Sequence, residues 1–354
     1  DAYDANDING KRTLLINYPL SSPLASGDEI FISFTFPADN IKPGRYIIVF
    51  YGQLGEEKGV VIGKITSPPI NIYYASKRNG IYKIYKMDTD GNNQTIVYDN
   101  TNLSIQIGKL TPSPDGKTLA FTVSGPQIYL LGLTDGSLRK LADGEWPSWS
   151  PDGTRIVFQR ETGQYLPDSA DVEIFTIELN PDLTIKSEAQ LTDIPGSSYS
   201  GTPAWSPNGN FIAYTRIGPD DSICHSATYR TIYLMDKTGN TIWPVTCLRE
   251  WGAYDDAPTW SPDGKEIAFT RWRFSGYDAN GQWKEYKYML YKVDISTKAI
   301  TKLTDSTGET YSEFTPAWSQ DGRHIAIGSN RDGDFDIWLV NPKDPNGAGY
   351  TINL

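Results

Sequence analysis

Three arginines recur at one place in a repeated phrase. Arg160, Arg216 and Arg271 each close a short apolar run that follows a tight turn, Ser-Pro-Asp-Gly or Ser-Pro-Asn-Gly. A guanidinium can hold a carboxylate through two parallel hydrogen bonds. With the aromatic residues nearby, the arginines predict a groove for a sugar, a peptide tail or a carboxylate, lined also by Tyr199, Trp251, Tyr254 and Tyr311. The alternative, favoured because the arginines belong to the repeat, is that they pair with aspartates between repeats.

A second oxygen-rich pattern lies near the end of the chain. Asp332, Asp334 and Asp336 alternate in the stretch SNRDGDFDIW. Carboxylates at that spacing could hold Ca²⁺. The alternative is a charged hairpin with Gly333 in the turn. Calcium is the one cofactor that the sequence raises.

Familiar catalytic patterns are missing from the sequence. The chain has two histidines, His225 and His324, and they fall in different repeats. A histidine-based metal site or a Ser-His-Asp triad is hard to build from them. No Gly-rich phosphate loop and no Gly-x-Ser-x-Gly elbow occurs. We therefore predict a protein without enzymatic activity.

The two cysteines, Cys224 and Cys247, flank one predicted hairpin, IYLMDKTGN. We predict that they form a disulfide, with free buried thiols as the alternative. A disulfide favours a location outside the cytoplasm, extracellular, on the cell surface or in the periplasm. Two sequons, at Asn93 and Asn102, are compatible with glycosylation there.

The elements that must position these residues are repeated. The phrase TPSPDGKTLAFT returns as WSPDGTRIVFQR, WSPNGNFIAYTR, WSPDGKEIAFTR and WSQDGRHIAIGS, and a strand-like phrase such as IYLMDKTG follows each copy. An earlier unit, INIYYASKRNG and IYKIYKMDTDG, lacks the Trp turn. Six units of four short β-runs predict a six-bladed β-propeller over residues 67–354. The alternative is an open β array or a sandwich.

The longest loops of such a propeller would gather on one face. Residues 161–172, 217–230 and 272–287 connect the second and third runs of three units, and they emerge beside the links between blades. Long loops on one end of a rigid scaffold are where binding usually resides. The arginines and aromatic residues of the predicted groove belong to this face.

The repeated phrase WSPDGxxIAFxxR followed by IYxMDxxG resembles the TolB-like, or WD40-like, six-bladed propeller repeat. The resemblance covers about residues 70–354 and implies the propeller fold. It does not extend to residues 1–66. Binding of the peptidoglycan-associated lipoprotein is therefore not carried over from TolB.

Residues 1–66 predict a small N-terminal β-domain, set before the propeller of residues 67–354. Its runs KRTLLINYPL, EIFISFTFPA, RYIIVFYGQL and GVVIGKIT read as four strands and resemble part of an immunoglobulin-like sandwich. Four strands leave edges that the propeller, or a strand from another chain, would cover. The polar tail 1–11 could reach a neighbouring copy.

Composition excludes several classes of protein. A formal charge of −11 repels phosphate backbones and anionic lipid, so nucleic-acid binding is not expected. No apolar run approaches the roughly 20 residues that span a bilayer, so membrane insertion is not expected either. The 32 Gly and 23 Pro favour strands joined by many turns.

The sequence therefore predicts an all-β protein that acts by binding or assembly. Its expected partners are proteins, including copies of itself joined by strand addition into a filament or surface layer, or a carbohydrate. The alternative is a carbohydrate-active enzyme, a polysaccharide lyase or glycosidase, working on the long-loop face.

Overall fold

The computed structural model consists of two compact units, Asp1–Ile70 and Asn71–Leu354. The structure describes residues 2–5, 12–16, 44–51, 57–65, 71–78, 81–89, 91–99, 106–163, 171–193, 199–217, 230–247, 253–273, 287–304, 313–330, 336–343 and 350–353. Strands and turns make up these ranges, and none of them contains a helix that could cross a bilayer. The sequence placed the domain boundary at residue 66, and the structure divides the chain after Ile70.

The N-terminal unit contains one sheet in the order β1-β2-β3-β4. Strands β2 and β3 run parallel, and the other two pairs are antiparallel. The predicted strand 29–38 lies outside the described residues. The tail predicted to reach a neighbour instead begins with a strand of its own sheet, because Ala2–Ala5 pairs with residues 13–16. The four strands are β1 (Ala2–Ala5), β2 (Arg12–Ile16), β3 (Gly44–Tyr51) and β4 (Glu57–Ile65).

Unit two contains six successive groups of strands, here called blades 1 to 6. Blade 1 has three described strands and each later blade has four. Their bounds are β5 (Ile72–Arg78), β6 (Ile81–Met87) and β7 (Thr95–Asp99); β8 (Ile107–Pro112), β9 (Thr118–Val123), β10 (Gln127–Gly132) and β11 (Leu138–Asp143); β12 (Glu145–Trp149), β13 (Arg155–Glu161), β14 (Val172–Leu179) and β15 (Ile185–Gln190); β16 (Tyr199–Trp205), β17 (Phe211–Ile217), β18 (Thr231–Asp236) and β19 (Thr241–Pro244); β20 (Ala253–Trp260), β21 (Glu266–Arg273), β22 (Lys287–Asp294) and β23 (Ile300–Lys302); β24 (Glu313–Trp318), β25 (Ile325–Ser329), β26 (Asp336–Val340) and β27 (Tyr350–Asn353).

Within a blade, consecutive strands pair antiparallel, so strand ends alternate between two ends of the blade. Blades 3 and 4 also join through one parallel pair, Val172 with Tyr199. We call the end that carries the Ser-Pro-Asp-Gly turns the turn end. The opposite end, where β13, β17 and β21 finish, is called the long-loop end.

The Ser-Pro-Asp-Gly turn forms for the reasons that its residue types predict. In blade 3 the Asp152 carboxylate accepts bonds from the Ser150 hydroxyl at 2.6 Å and the Thr154 N–H at 2.9 Å. Gly153 has a φ of 71°, which a side chain would strain. Burial raises the pKa of Asp152 and these bonds outweigh it, so the net shift is downward. Blades 2, 5 and 6 repeat the Ser–Asp bond.

The core lies between successive blades. Each second strand buries one large side chain at an equivalent position, namely Phe121, Phe158, Tyr214, Phe269 and Ile327. In blades 3 to 6 the tryptophan ahead of the turn packs against the preceding blade, as Trp149, Trp205, Trp260 and Trp318 do. Burying such rings removes large apolar areas from water, at roughly 25 cal/mol per Å². The repeated Trp therefore links each of blades 3 to 6 to the blade before it.

The first strand of a blade is called innermost here, and the fourth outermost. In blades 3 to 6 the innermost strand contains a β-bulge ahead of its Pro-x-Trp. The residue before the proline has a positive φ in four blades: Trp146 (55°), Thr202 (47°), Ala257 (54°) and Thr315 (48°). The register of the innermost pair shifts at the same place. A bulge re-aims the side chains beside it. The bulges therefore set where the first residues of these strands point at the long-loop end. The predicted all-β propeller fold is confirmed.

Candidate ligand-binding site

The long-loop end of blades 3, 4 and 5 gathers the first residues of β12, β16 and β20 with the last residues of β13, β17 and β21. The predicted groove residues Arg160, Tyr199, Arg216, Tyr254 and Arg271 lie there. Trp251 and Tyr311, from the same prediction, lie outside the described residues.

Arg271 is held by an acid of its own blade. Its Nε and Nη2 donate to the two carboxylate oxygens of Asp255 at 2.6 and 2.9 Å, across a directly paired position of β20 and β21. The side chains are 6% and 0% exposed. Burial raises the pKa of the Asp255 carboxyl, and the bonds from Arg271 oppose that rise. Arg271 thus anchors its own strand pair.

Arg160 is also occupied, but by a residue on the outermost strand. Its Nη1 and Nη2 donate to Glu188 at 2.5 and 3.1 Å, and its Nε donates to the Asp143 carbonyl at 2.9 Å. The guanidinium lies 4.6 Å from the Phe175 ring centroid. The carboxylate partners of Arg160 and Arg271 therefore lie within their own blades, where we had considered pairing between blades. Arg160 also bonds to the Asp143 carbonyl of blade 2.

Arg216 differs from its two equivalents. Its guanidinium lies 5.2 Å from the Tyr233 ring centroid, and among the described residues no carboxylate pairs with it. Its Nε is buried and has no hydrogen-bond partner in the described part of the chain. The side chain is half-buried at the end of β17.

Asp256 is the centre of a hydrogen-bond network between blades 4 and 5. Its Oδ1 lies 3.0 and 3.1 Å from the Thr202 and Thr215 hydroxyls, and it accepts the Ala257 N–H at 2.9 Å. Its Oδ2 accepts a bond from Arg230 Nη1 at 2.5 Å. No repeated pattern marks Arg230, because it ends a long insertion outside the repeated phrase.

The network continues into blade 3 through Tyr199 and Gln159. The Tyr199 ring lies under the Arg230 guanidinium at 4.2 Å, a cation–π contact. Gln159 Oε1 accepts the Thr202 N–H at 2.7 Å and lies 3.5 Å from the Tyr199 hydroxyl. Burial raises the pKa of Tyr199, so its hydroxyl keeps its proton at physiological pH. Three blades therefore share one polar network at the long-loop end.

A row of aromatic rings crosses blade 5 next to this network. Tyr254 stacks on Trp272 with centroids 4.0 Å apart and planes 6° apart. Trp272 stacks on Tyr288 at 6.0 Å, and Phe314 of blade 6 meets Tyr288 at 4.8 Å. All four side chains are half-buried. The row packs blade 5 against blade 6 and leaves part of each ring accessible at the long-loop end.

The remaining predicted sites are only partly described. Asp332 and Asp334 lie outside the described residues, and no metal-binding cluster of His, Cys, Asp or Glu occurs among those that are described. Calcium binding stays a prediction. Asn93 is exposed in the hairpin between β6 and β7, where its amide donates to Asp88 at 2.9 Å; Asn102 lies outside the described residues.

Cys247 is disulfide-bonded. Its predicted partner, Cys224, lies outside the described residues, so the pairing stays a prediction.

No protein-family model matches the chain. In sequence it is 27% identical over 204 residues to an uncharacterized protein of Agrobacterium fabrum, covering 55% of this chain and 54% of that protein. It is 22% identical over 329 residues to dipeptidyl-peptidase 5 of Porphyromonas gingivalis, covering 67% and 46%. With the Tol-Pal system protein TolB of Alcanivorax borkumensis the identity is 29% over 144 residues, covering 41% and 26%. The chain spans about half the length of the first two relatives.

The fold matches solved propellers. TolB from Acinetobacter baumannii superposes with a TM-score of 0.58 at 17% identity, covering 84% of this chain and 76% of that one. An oligogalacturonate lyase in complex with manganese gives 0.52 at 15% identity, covering 78% and 72%. At these identities the likeness concerns the fold.

The prediction that the protein has no enzymatic activity is wrong. Dipeptidyl-peptidase 5 and the peptidase YuxL of Bacillus subtilis, 25% identical over 207 residues and covering 52% of this chain and 29% of that protein, are among its sequence relatives. Missing motifs misled us because a propeller can serve an enzyme without carrying a familiar nucleophile motif itself. The chain has the fold of a TolB-like β-propeller, and its sequence relatives include proteins named as peptidases.

Proposed function

We propose that the long-loop end of blades 3, 4 and 5 binds an extended peptide or sugar chain, and that this surface recognises the protein's substrate or partner. The observation that carries the proposal is the junction of the Tyr199–Arg230–Asp256 network with the aromatic row of blade 5. Fixed polar groups beside apolar rings are the usual composition of a ligand site.

The network is organised before any ligand arrives. Asp256 has four donors around its carboxylate, and Arg230 is fixed between that carboxylate and the Tyr199 ring. The side chains of Arg230 and Asp256 are nonetheless 31% and 19% exposed. A ligand that meets fixed groups loses less conformational entropy on binding than one that must order them.

The relatives support recognition of a chain-like ligand. Two are named as peptidases, and one fold neighbour is named as an oligogalacturonate lyase. Peptides and oligosaccharides both offer amide or hydroxyl groups for such a network and apolar faces for aromatic rings. A test of this proposal must therefore score turnover as well as binding.

The test is a panel of oligopeptides and oligosaccharides, assayed for binding by calorimetry and for cleavage by mass spectrometry. Trp272→Ala and Asp256→Asn should each weaken binding of a ligand found in the panel, by about tenfold for one lost stacking or charged contact. Trp243→Ala is the matched control, because Trp243 is a 39% exposed tryptophan on β19, away from the long-loop end. Equal affinities in all three variants would refute the proposal.

We also propose a location outside the cytoplasm: extracellular, on the cell surface or in the periplasm. The disulfide at Cys247 supports this, because disulfides persist in oxidising compartments.

A second proposed role is self-assembly into a filament or surface layer through the N-terminal unit. Its described sheet ends in β1 on one side and in the nine-residue strand β4 on the other. An edge strand presents unpaired backbone groups to which another copy could add a strand. Light scattering over a range of protein concentrations tests this role, and a monomer at every concentration would contradict it.

A further inference from the structure

We infer that Arg216, Ser200 and Thr231 form a site for a carboxylate group of the bound ligand, at the long-loop end of blade 4. This inference rests on the proposed function, and it names the chemical group that the surface selects.

Within the described ranges, Arg216 lacks the carboxylate partner that its two equivalents have. In blade 5 the residue paired with the arginine is Asp255, which binds Arg271 through both oxygens. In blade 4 the residue paired with Arg216 is Ser200, which has no carboxylate. Blade 3 supplies its acid from the outermost strand, through Glu188. The outermost strand of blade 4 reads TIWP and has no acid. Blade 4 therefore keeps the arginine and lacks a carboxylate in both places where another blade provides one.

Three buried polar atoms without described partners lie in a row beside Arg216. Ser200 pairs with Arg216, and Arg216 pairs with Thr231, so the three side chains lie on one face of the sheet. Ser200 is 0% exposed and Thr231 is 2% exposed. Among the described residues, their hydroxyls and the Arg216 Nε have no hydrogen-bond partner. A buried donor without a partner costs about 1–3 kcal/mol, so three together favour an occupant that accepts hydrogen bonds.

The Tyr233 ring orients the Arg216 guanidinium. Arg216 lies over the Tyr233 ring at 5.2 Å, as Arg271 lies over the equivalent Tyr291 ring at 4.9 Å. The ring holds the blade-4 guanidinium in the place where blade 5 uses it to bind a carboxylate. Two hydroxyl donors and a guanidinium match the acceptors of one carboxylate group. Arg216 is half-buried, which leaves part of it accessible from the long-loop end.

The experiment uses galacturonic acid and its methyl ester as matched probes, since they differ in the carboxylate charge. The readout is the ¹⁵N NMR signal of the Arg216 side-chain Nε–H, assigned from its loss in Arg216→Gln. We expect galacturonic acid to shift the signal and the ester to leave it unchanged. Arg216→Gln should weaken binding of the acid on the order of tenfold or more. Arg323→Gln is the control, because it removes one positive charge from a side chain that is 78% exposed at the turn end.

Ser200→Asp gives an independent test, because it places a carboxylate where Asp255 lies in blade 5. We expect this variant to lose binding of galacturonic acid while the control keeps it. An unchanged Nε–H signal with the acid and the ester alike would overturn the inference and leave a buried water as the occupant. So would a panel ligand bound equally by wild type and Arg216→Gln, and that result would leave the proposed function standing. If galacturonic acid shifts the Nε–H signal but no peptide or sugar of the panel binds, the carboxylate site is supported and the proposed function is refuted.

Discussion

Asp255→Ser would give blade 5 the arrangement found in blade 4. It removes the two bonds, 2.6 and 2.9 Å long, that hold Arg271. The arginine would remain at a position where its side chain is 6% exposed, without the carboxylate that compensates its charge. The neighbouring Phe269 and Tyr291 rings, 5.4 and 4.9 Å away, offset little of that loss.

The expected cost is set by this burial. Removing one partner of a buried ion pair typically lowers the free energy of unfolding by about 3–5 kcal/mol. Glu188→Gln is the matched control, because it removes the partner of the equivalent Arg160, where the two side chains are 25% and 35% exposed. An exposed pair contributes at most about 1 kcal/mol.

The assay is urea denaturation followed by tryptophan fluorescence, with the slope of the transition compared between variants. A loss for Asp255→Ser below about 1 kcal/mol, or one equal to that of Glu188→Gln, would refute the reasoning. It would mean that Arg271 finds another partner or reaches water.

Three further predictions concern titration and redox chemistry. Hydroxyl and backbone N–H donors lower the pKa of Asp236 and of Asp294 to about 2, so both stabilise the fold above pH about 4, and that contribution disappears as the pH falls towards 2. In a double variant with Asp236→Asn and Asp294→Asn, the urea concentration at the unfolding midpoint should depend less on pH in this range. Burial lowers the pKa of Lys109 from 10.5 to about 8, so stability should rise as the pH increases from about 8 to 10.5. Lys109→Met should remove that rise in the same denaturation assay. Non-reducing peptide mapping should link Cys247 to Cys224, and quantitative alkylation of both thiols without a reductant would contradict the pairing.

Short local patterns were enough to predict the propeller. The Ser-Pro-Asp-Gly turns, the buried residue at Phe158 and its equivalents, and the Trp ahead of each turn depend on neighbours within one blade or the next. Such contacts recur with the repeat, so the sequence shows them several times.

The candidate site was less predictable, because it depends on differences between repeats. That Arg216 lacks the acid of Arg271 follows from Ser200 replacing Asp255 beside a bulge, where the register must be known. Arg230 could not be recognised as a site residue from the sequence, because it ends a long insertion that is not part of the repeat. Glu188 reaches Arg160 from another strand, which no spacing along the chain reveals.

The central claim is that the long-loop end of blades 3, 4 and 5 is the recognition surface. Hydrogen–deuterium exchange of the protein with and without a bound panel ligand tests it most directly. We expect added protection at the first residues of β16 and β20 and the last residues of β17 and β21, with none at the Ser-Pro-Asp-Gly turns. Protection confined to the turn end or to the N-terminal unit would contradict it.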